Sequence, residues 1–433
     1  MKITWTFLFF SMASFFFSHA QVTGDSTEIL RRAKIDVEHL CSDSLAGRGY
    51  IGEGHQKAAL YLAKRFREIG LPPIKEQEAK SPYFQDFVLQ INLASQLQLS
   101  IDGKDFEVGE HVIVNKFSGS GEVSARIIDV GYGLEPSKKA EGKVVLLRAG
   151  WPAEIANSSE EREKYKELSK TVDRCAAYAG LGAKAIIVIQ KKLTAGFTRD
   201  QAPIPILELK ETALPKRYKK AKMKVESRMT SVQSQNVIGY IPGKVKPDSA
   251  LILSAHYDHL GKLESAIFTG ANDNASGTSM LLSMAEYFQE HPLDYTLVFI
   301  AFGGEETGLV GSNFYVNTQP IFPLKRSKFI LNLDLMGNGV DGITAVGGKD
   351  HSEAFDKLKK LNEELEAVPV VRARPNAPNS DHFFFLQNGV PGFFIYTLGG
   401  PPHYHDVNDR PENLEYSRYV NVRELLIRFL ESM

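Results

Sequence analysis

From Asn236 onward the chain alternates short, almost wholly apolar runs with polar turns. Asn236–Tyr240, Ala250–Ala255, Tyr295–Ala301, Lys328–Leu333 and Gly392–Thr397 are such runs. A run that is apolar at nearly every position suits a strand buried on both faces of an α/β sheet. Between them, the spacing of Leu281, Met284, Ala285 and Phe288 predicts a helix over Ser276–Gln289. The start of the chain is also helical in pattern. Ile29, Leu30, Ala33, Val37 and Leu40 mark one apolar face, and Ala59, Leu62, Ala63, Phe66 and Ile69 mark another, from His55 to Ile69. Gly70 and Pro72 close the second helix in the usual order. Asp86–Leu93 reads as a strand. The texture then changes. Between Leu97 and Ser234 lie short β-like runs at Leu97–Ile101, Ala125–Val130, Val144–Leu147, Ala185–Ile189 and Ile204–Leu207, with one helical stretch from Ser158 to Gly180. These patterns predict an α/β fold: a mixed, mostly parallel sheet sandwiched by helices, assembled from residues 21–96 and 235–433, with a small β-rich domain inserted at 97–234.

Residues 1–20 are predicted to be a cleavable signal peptide. Lys2 precedes an apolar run from Ile3 to Phe17, and Ser18-His19-Ala20 supplies a cleavage site before Gln21. No other stretch is long and apolar enough to span a bilayer. The expected location is secreted or periplasmic, with no membrane anchor after cleavage. The 433 residues carry 51 Lys+Arg and 52 Asp+Glu, a net charge of −1, which lacks the basic excess of a nucleic-acid-binding protein. Two cysteines exclude a disulfide framework and a four-cysteine zinc site. Cys41 and Cys175 either pair in an oxidising compartment or are two buried thiols. Asn157 and Asn274 stand in glycosylation sequons, and Asn274 is expected to stay unmodified because it falls among the candidate site residues.

The chemistry-bearing residues follow the ends of the apolar runs. Ala250–Ala255 leads into His256-Tyr257-Asp258-His259, Tyr295–Ala301 into Glu305-Glu306, and Lys328–Leu333 ends at Asp334. Gly392–Thr397 is followed by His403-Tyr404-His405, and Asp273 precedes the central helix. In open α/β sheets the crevice beyond the carboxyl ends of the strands is where ligands bind. Carboxylates gathered there repel one another unless a cation joins them. The mixed N/O donor set suits zinc, and this many carboxylates suit a pair of metal ions with Asp273 between them. There is no His-Glu-x-x-His, no Gly-x-Ser-x-Gly and no P-loop. Gly337-Asn338-Gly339-Val340-Asp341-Gly342 matches a dinucleotide-binding pattern, but strand-like Ile343–Val346 follows it, so it reads as a hairpin turn.

At these residues the sequence resembles the co-catalytic di-zinc exopeptidases of metallopeptidase family twenty-eight, the aminopeptidase Y type. The likeness lies in His256-x-Asp258, the block at 270–277, Glu305-Glu306-x-Gly-Leu-x-Gly-Ser, Asn332-x-Asp334-x-x-Gly337 and Tyr404-His405-x-x-x-Asp409. Ser42-Asp43-Ser44-Leu45-Ala46-Gly47-Arg48 resembles the start of members with an inserted domain, and 97–234 resembles a protease-associated domain in texture and position. The resemblance implies that His256 and Asp334 hold one zinc, that Glu306 and His405 hold the other, and that Asp273 bridges them. It implies Glu305 as general base to a hydroxide generated by two zinc ions, Asp258 as acceptor of the other ring N–H of His256, and Tyr404 at the oxyanion. His403 competes with His405 as ligand, but Tyr404 and Asp409 keep their places relative to His405. His259 and His382 read as structural or substrate-lining. The expected activity is removal of N-terminal residues from peptides. A carboxypeptidase, a glutaminyl cyclase and a non-catalytic relative of transferrin-receptor type are the alternatives, and retention of both ligand sets and the base weighs against the last two.

Overall fold

Successive residues of the strand Lys246–His256 enter opposite apolar layers, Leu251, Leu253 and Ala255 on one face and Ala250 and Ile252 on the other. That two-sided burial is why the run carries no polar alternation. The computed structural model describes residues 24–75 and 81–433. The expected signal peptide lies outside the described residues. Among those residues no helix is long and apolar enough to cross a membrane.

Lys246–His256 occupies the middle of a large, mostly parallel sheet. Tyr295–Phe302 pairs with one edge of it and Ser327–Asp334 with the other, both in parallel. Gly392–Leu398 continues in parallel beyond Ser327–Asp334, followed by Gly342–Val346 and Val371–Arg374. On one face pack the helices Ser26–Leu40, Gly54–Ile69, Gly277–Glu290 and Tyr419–Glu431, which bury Val37, Phe66, Phe288 and Phe429 completely. An aromatic ring in such a place is worth about 3–5 kcal/mol against alanine. The other face is covered by Val310–Asn317 and His382–Gln387, with Tyr315 and Phe385 packed around Phe302.

The central helix begins at Gly277, one residue later than its pattern predicts, because 271–276 form an irregular turn. The strand expected at Asp86–Leu93 runs from Phe84 to Ile101 and pairs antiparallel with Lys220–Ile241 along nearly its whole length. The positions read as boundaries, 96/97 and 234/235, therefore fall inside two continuous strands. At the far end of this arm stand Gly121–Asp129, Val144–Arg148, Ala185–Gln190 and Ile206–Lys210, joined in parallel in that order. Thr171–Gly180 covers them, burying Cys175 and Tyr178 against Leu147 and Val188. The single helix expected over 158–180 is two, Ser159–Lys164 and Thr171–Gly180. The first is all charged or small and buries nothing, so no apolar face carries it into the second.

The hairpin reading of Gly337–Gly342 is corrected. Ser327–Asp334 and Gly342–Val346 do not pair, because Gly392–Leu398 lies between them. The turn crosses over a strand that enters the sheet some fifty residues later.

Cys41 and Cys175 lie in separate cores and are both free. Burial pushes each thiol up to about 12. Native protein should therefore leave a thiol-reactive chromophore unreacted at pH 8 and release two equivalents once unfolded in guanidinium without reductant. One or no equivalent after unfolding would contradict this arrangement.

Candidate metal centre

The sheet changes direction of growth at Lys246–His256, since the chain adds Tyr295–Phe302 on one side and then Ser327–Asp334 on the other. A crevice opens at such a switch point, beyond the carboxyl ends of the strands. His256 is the last residue of the first strand, and Asp334 the last of the third. Glu305 and Glu306 follow the second, Asp273 stands in the turn before the central helix, and His405 lies in the loop after Gly392–Leu398.

These six residues converge. The two oxygens of Asp273 face different histidines: Oδ1 is 3.3 Å from His256 Nε2 and Oδ2 is 3.1 Å from His405 Nε2. His256 Nε2 is also 3.4 Å from Asp334 Oδ2, and His405 Nε2 is 3.2 Å from Glu306 Oε2. Two donor sets thus share one carboxylate. Glu305 stands with His256 and Asp334 around the first. The two rings are oriented alike. His256 Nδ1 is 3.1 Å from the main-chain oxygen of Asp258, and His405 Nδ1 is 2.9 Å from that of Ala195. With Nδ1–H donated to a carbonyl, each Nε2 faces the carboxylates, holding a proton between them unless a cation takes its place. His403 turns away, its Nδ1 3.6 Å from Asp406, so it is His405 that the fold brings to the cluster.

Charge explains what this arrangement needs. Among the described residues no Lys or Arg pairs with Asp273, Glu305, Glu306 or Asp334; the ion-pair partners of Asp273, Glu306 and Asp334 are histidines. Burial alone lowers both histidines, but the carboxylates win: Glu305 and Asp334 hold His256 well above its ordinary range, and Glu306 and Asp273 raise His405 to about 11. Glu306, opposed by burial, is brought down to about 2 by His405 and His259. Glu305 is pushed up by burial and by Glu306, Asp381 and Asp334. The cluster draws positive charge to two points, one at each Nε2. A divalent cation at each point would replace a proton with a stronger charge, and the donors are the imidazole and carboxylate groups that zinc accepts. Asp334 Oδ1, buried without a hydrogen-bond partner, is a further free donor.

The predicted contact between His256 and the Asp258 side chain is corrected. That carboxylate is 3.9 Å from His256 Nδ1. It instead accepts the main-chain N–H groups of Glu305 at 3.1 Å and Glu306 at 3.3 Å, and the Tyr50 hydroxyl at 2.9 Å. Asp258 thereby fixes the turn that carries both glutamates. Asp409 does the same for Asp273, accepting the N–H groups of Asn272 and Asp273 at 2.8 and 2.9 Å. His259 Nδ1 lies 2.7 Å from Glu306 Oε1, a supporting contact. His382 is buried among apolar groups, and Asn274 is buried with its amide on the Leu333 carbonyl at 2.9 Å.

Several supporting residues escape a reading by motif. Arg48 is fully buried and pairs with no carboxylate. Its guanidinium donates to the carbonyls of Tyr257, Leu40, Thr269 and Gly270 at 2.7, 3.0, 2.6 and 2.7 Å. It ties the exit of the first strand to the turn of Asp273. The flanking glycines permit this approach: a Cβ on Gly49 would lie 2.3 Å from the Gly261 Cα. The sequence singles out the Ser42–Arg48 stretch by resemblance, but not the target of Arg48. Tyr404 stacks on His405 at 3.8 Å. Its phenol is held above the ordinary range by desolvation and by Asp273, Glu306 and Glu305, so it remains a donor. A cavity of about 240 Å³ opens from the cluster, walled by Tyr404, Phe394, Tyr396, Asn379 and Arg374.

Residues 236–430 match the family described as peptidase family M28. That region spans a little under half of the chain. Aminopeptidase YwaD of Bacillus subtilis, strain 168, is 27% identical over 444 residues, covering 94% of this chain and 87% of that protein. Aminopeptidase Y of Saccharomyces cerevisiae is 24% identical over 216 residues, which cover 47% of this chain and 39% of the yeast protein. Among solved structures, BSAP, a zinc aminopeptidase from Bacillus subtilis, superposes with a TM-score of 0.70 at 24% identity over 93% of this chain and 94% of its own. An M28 peptidase precursor from Shewanella amazonensis gives 0.67 at 17% identity, over 93% and 94%. The fold of this chain, over 93% of its length, is that of these structures.

Asp381 offers a pH test of the site's electrostatics. Both its oxygens are buried without a hydrogen-bond partner, and burial raises its carboxyl to about 7. The folded state keeps a proton that the unfolded chain releases near pH 4. Its contribution to stability therefore falls as pH rises from about 4 to about 7 and is constant above that. In metal-free protein, Asp381→Asn should be nearly neutral at pH 4 and stabilising at pH 8 in urea unfolding. A difference independent of pH would contradict the assignment.

Proposed function

We propose that the chain is an exported aminopeptidase that binds two zinc ions and hydrolyses the first peptide bond of peptide substrates. The observation that carries the reading is the sharing of Asp273 between two histidines, each completed by a further carboxylate. His256, Asp273 and Asp334 would hold one ion, and Glu306, His405 and Asp273 the other. The name of the Bacillus relative, aminopeptidase YwaD, supports the same reading. Bound zinc supplies Lewis acidity, polarising the scissile carbonyl and acidifying water.

The chain's own groups supply the rest. Glu305 lies beside His256 and Asp334 with its carboxylate uncommitted to any Lys or Arg, and its raised affinity for protons suits a general base. It takes the proton of the attacking water and returns one to the leaving amine. The Tyr404 hydroxyl, held protonated, donates to the oxygen on which negative charge develops. The carboxylates of the cluster balance the free α-amine of the substrate, which is the basis of preference for the N-terminus. Asp258 and Asp409 act through the backbone by fixing Glu305, Glu306 and Asp273. Arg374 in the cavity wall favours a second reading, carboxypeptidase action, because it could receive a terminal carboxylate.

Mass spectrometry of a free peptide and its N-acetylated twin separates the two. The proposal expects a ladder from the N-terminus of the free peptide only, abolished by chelator. Shortening of both from the C-terminus would assign carboxypeptidase action, and loss of ammonia from an N-terminal Gln peptide would assign cyclase action. Glu305→Gln should lower kcat by about 10²–10⁴ with zinc content unchanged. Retention of full activity would remove Glu305 as base.

A further inference from the structure

The loop between the strands Ala185–Gln190 and Ile206–Lys210 belongs to the insertion, yet it reaches the metal centre. Ala195 forms a reciprocal pair with His405. Its N–H donates to the His405 carbonyl at 3.1 Å, and its own carbonyl lies 2.9 Å from His405 Nδ1. Three residues earlier, Lys192 Nζ donates to the carbonyls of Pro402 and Tyr404 at 2.7 and 2.8 Å and lies 3.6 Å from Asp406. Leu193 is buried with Ile113, Leu260, Ala266 and Phe268, with Val407 packed against that cluster. Phe197 meets Tyr50 edge-on at 5.5 Å, and Tyr50 donates to Asp258.

The segment carrying His405 has no helix or strand of its own between Leu398 and Pro411, and His405 itself has a positive φ of 59°. Its ring needs an external partner to hold Nε2 toward Asp273 and Glu306. That partner is the Ala195 carbonyl, and Lys192 clamps the backbone on the N-terminal side of the ring. His256, by contrast, obtains its carbonyl from Asp258, two residues away on its own strand exit. One histidine is oriented locally and the other by the insertion.

We propose that the insertion is a working part of the metal centre: its loop at 192–197 positions His405 and sets the affinity of the His405–Glu306 side for its ion, leaving the His256–Asp334 side nearly independent. The inference rests on the two-zinc reading above. It differs from a lid, which would restrict substrate and leave metal affinity untouched. Carbonyl and carboxylate partners of metal-bound histidines are commonly worth about 10–100-fold in metal affinity.

The test uses the full chain loaded with zinc and titrated with a graded chelator, counting retained zinc by plasma emission. Lys192→Met removes the clamp, and Ala195→Pro removes the amide that binds the His405 carbonyl. Each should release one ion at about tenfold lower chelator strength, the same ion that His405→Ala loses, while the second ion leaves as in the unaltered protein. Lys192→Arg should restore much of the loss, Lys191→Met should behave as the unaltered chain, and the melting temperature of metal-free Lys192→Met should be unchanged. Two outcomes overturn the proposal: both variants retain both ions normally, or both ions weaken together with a lowered metal-free melting temperature. If the unaltered chain binds no zinc, the two-zinc reading falls and takes this inference with it.

Discussion

Carboxylates cannot be crowded in a buried crevice without compensating positive charge, and much of this structure is organised around that constraint. At an effective dielectric near 20, two carboxylates about 4 Å apart repel by roughly 4 kcal/mol. Asp273, Glu305, Glu306 and Asp334 are gathered with no Lys or Arg among the described residues to pair with them. The remaining sources of positive potential are three histidines, main-chain N–H groups and a bound cation. The fold supplies the first two and leaves the third to solution. Such a cluster is unfavourable for stability alone, which is why its persistence points to chemistry.

The backbone around the cluster is correspondingly over-determined. Asp258 and Asp409 spend their oxygens on main-chain N–H groups of the neighbouring turns, and Arg48 spends its donors on main-chain carbonyls. Two buried carboxylates and one buried guanidinium thus serve as rivets between loops instead of as an ion pair. Each offsets part of the desolvation cost of its own charge with fixed dipoles, and each pins a turn that carries members of the cluster or adjoins them.

Much of this was legible from the residues. The apolar runs at Ala250–Ala255, Tyr295–Ala301 and Lys328–Leu333 announced strands buried on both faces, and the polar residues at their exits announced the crevice. What could not be read was long-range. The sequence shows that Gly337–Gly342 joins two strands, but not that Gly392–Leu398 takes the place between them. It shows His256-x-Asp258, but not that the carboxylate serves the glutamate turn while the main-chain oxygen serves the ring. Ala195 carries no signal at all, because its contribution is a carbonyl that every residue has. Lys192 reads as one more surface lysine. Motifs report side chains that do chemistry directly, and partners that act through the backbone stay silent.

The antiparallel arm formed by Phe84–Ile101 and Lys220–Ile241 joins the far strands, Gly121–Asp129 to Ile206–Lys210, to the rest of the sheet without a flexible linker. Its two strands alternate inward and outward residues in a fixed partnership, so adding or deleting one residue in either would send its following side chains to the opposite face. The irregularity between Ala94 and Gln96 is where the pairing already absorbs one such step. Exchange of this far region between relatives is therefore constrained in phase as well as in shape: a transplanted segment must arrive with the right parity of residues on both strands, or its loop will present the wrong atoms to the 402–407 segment.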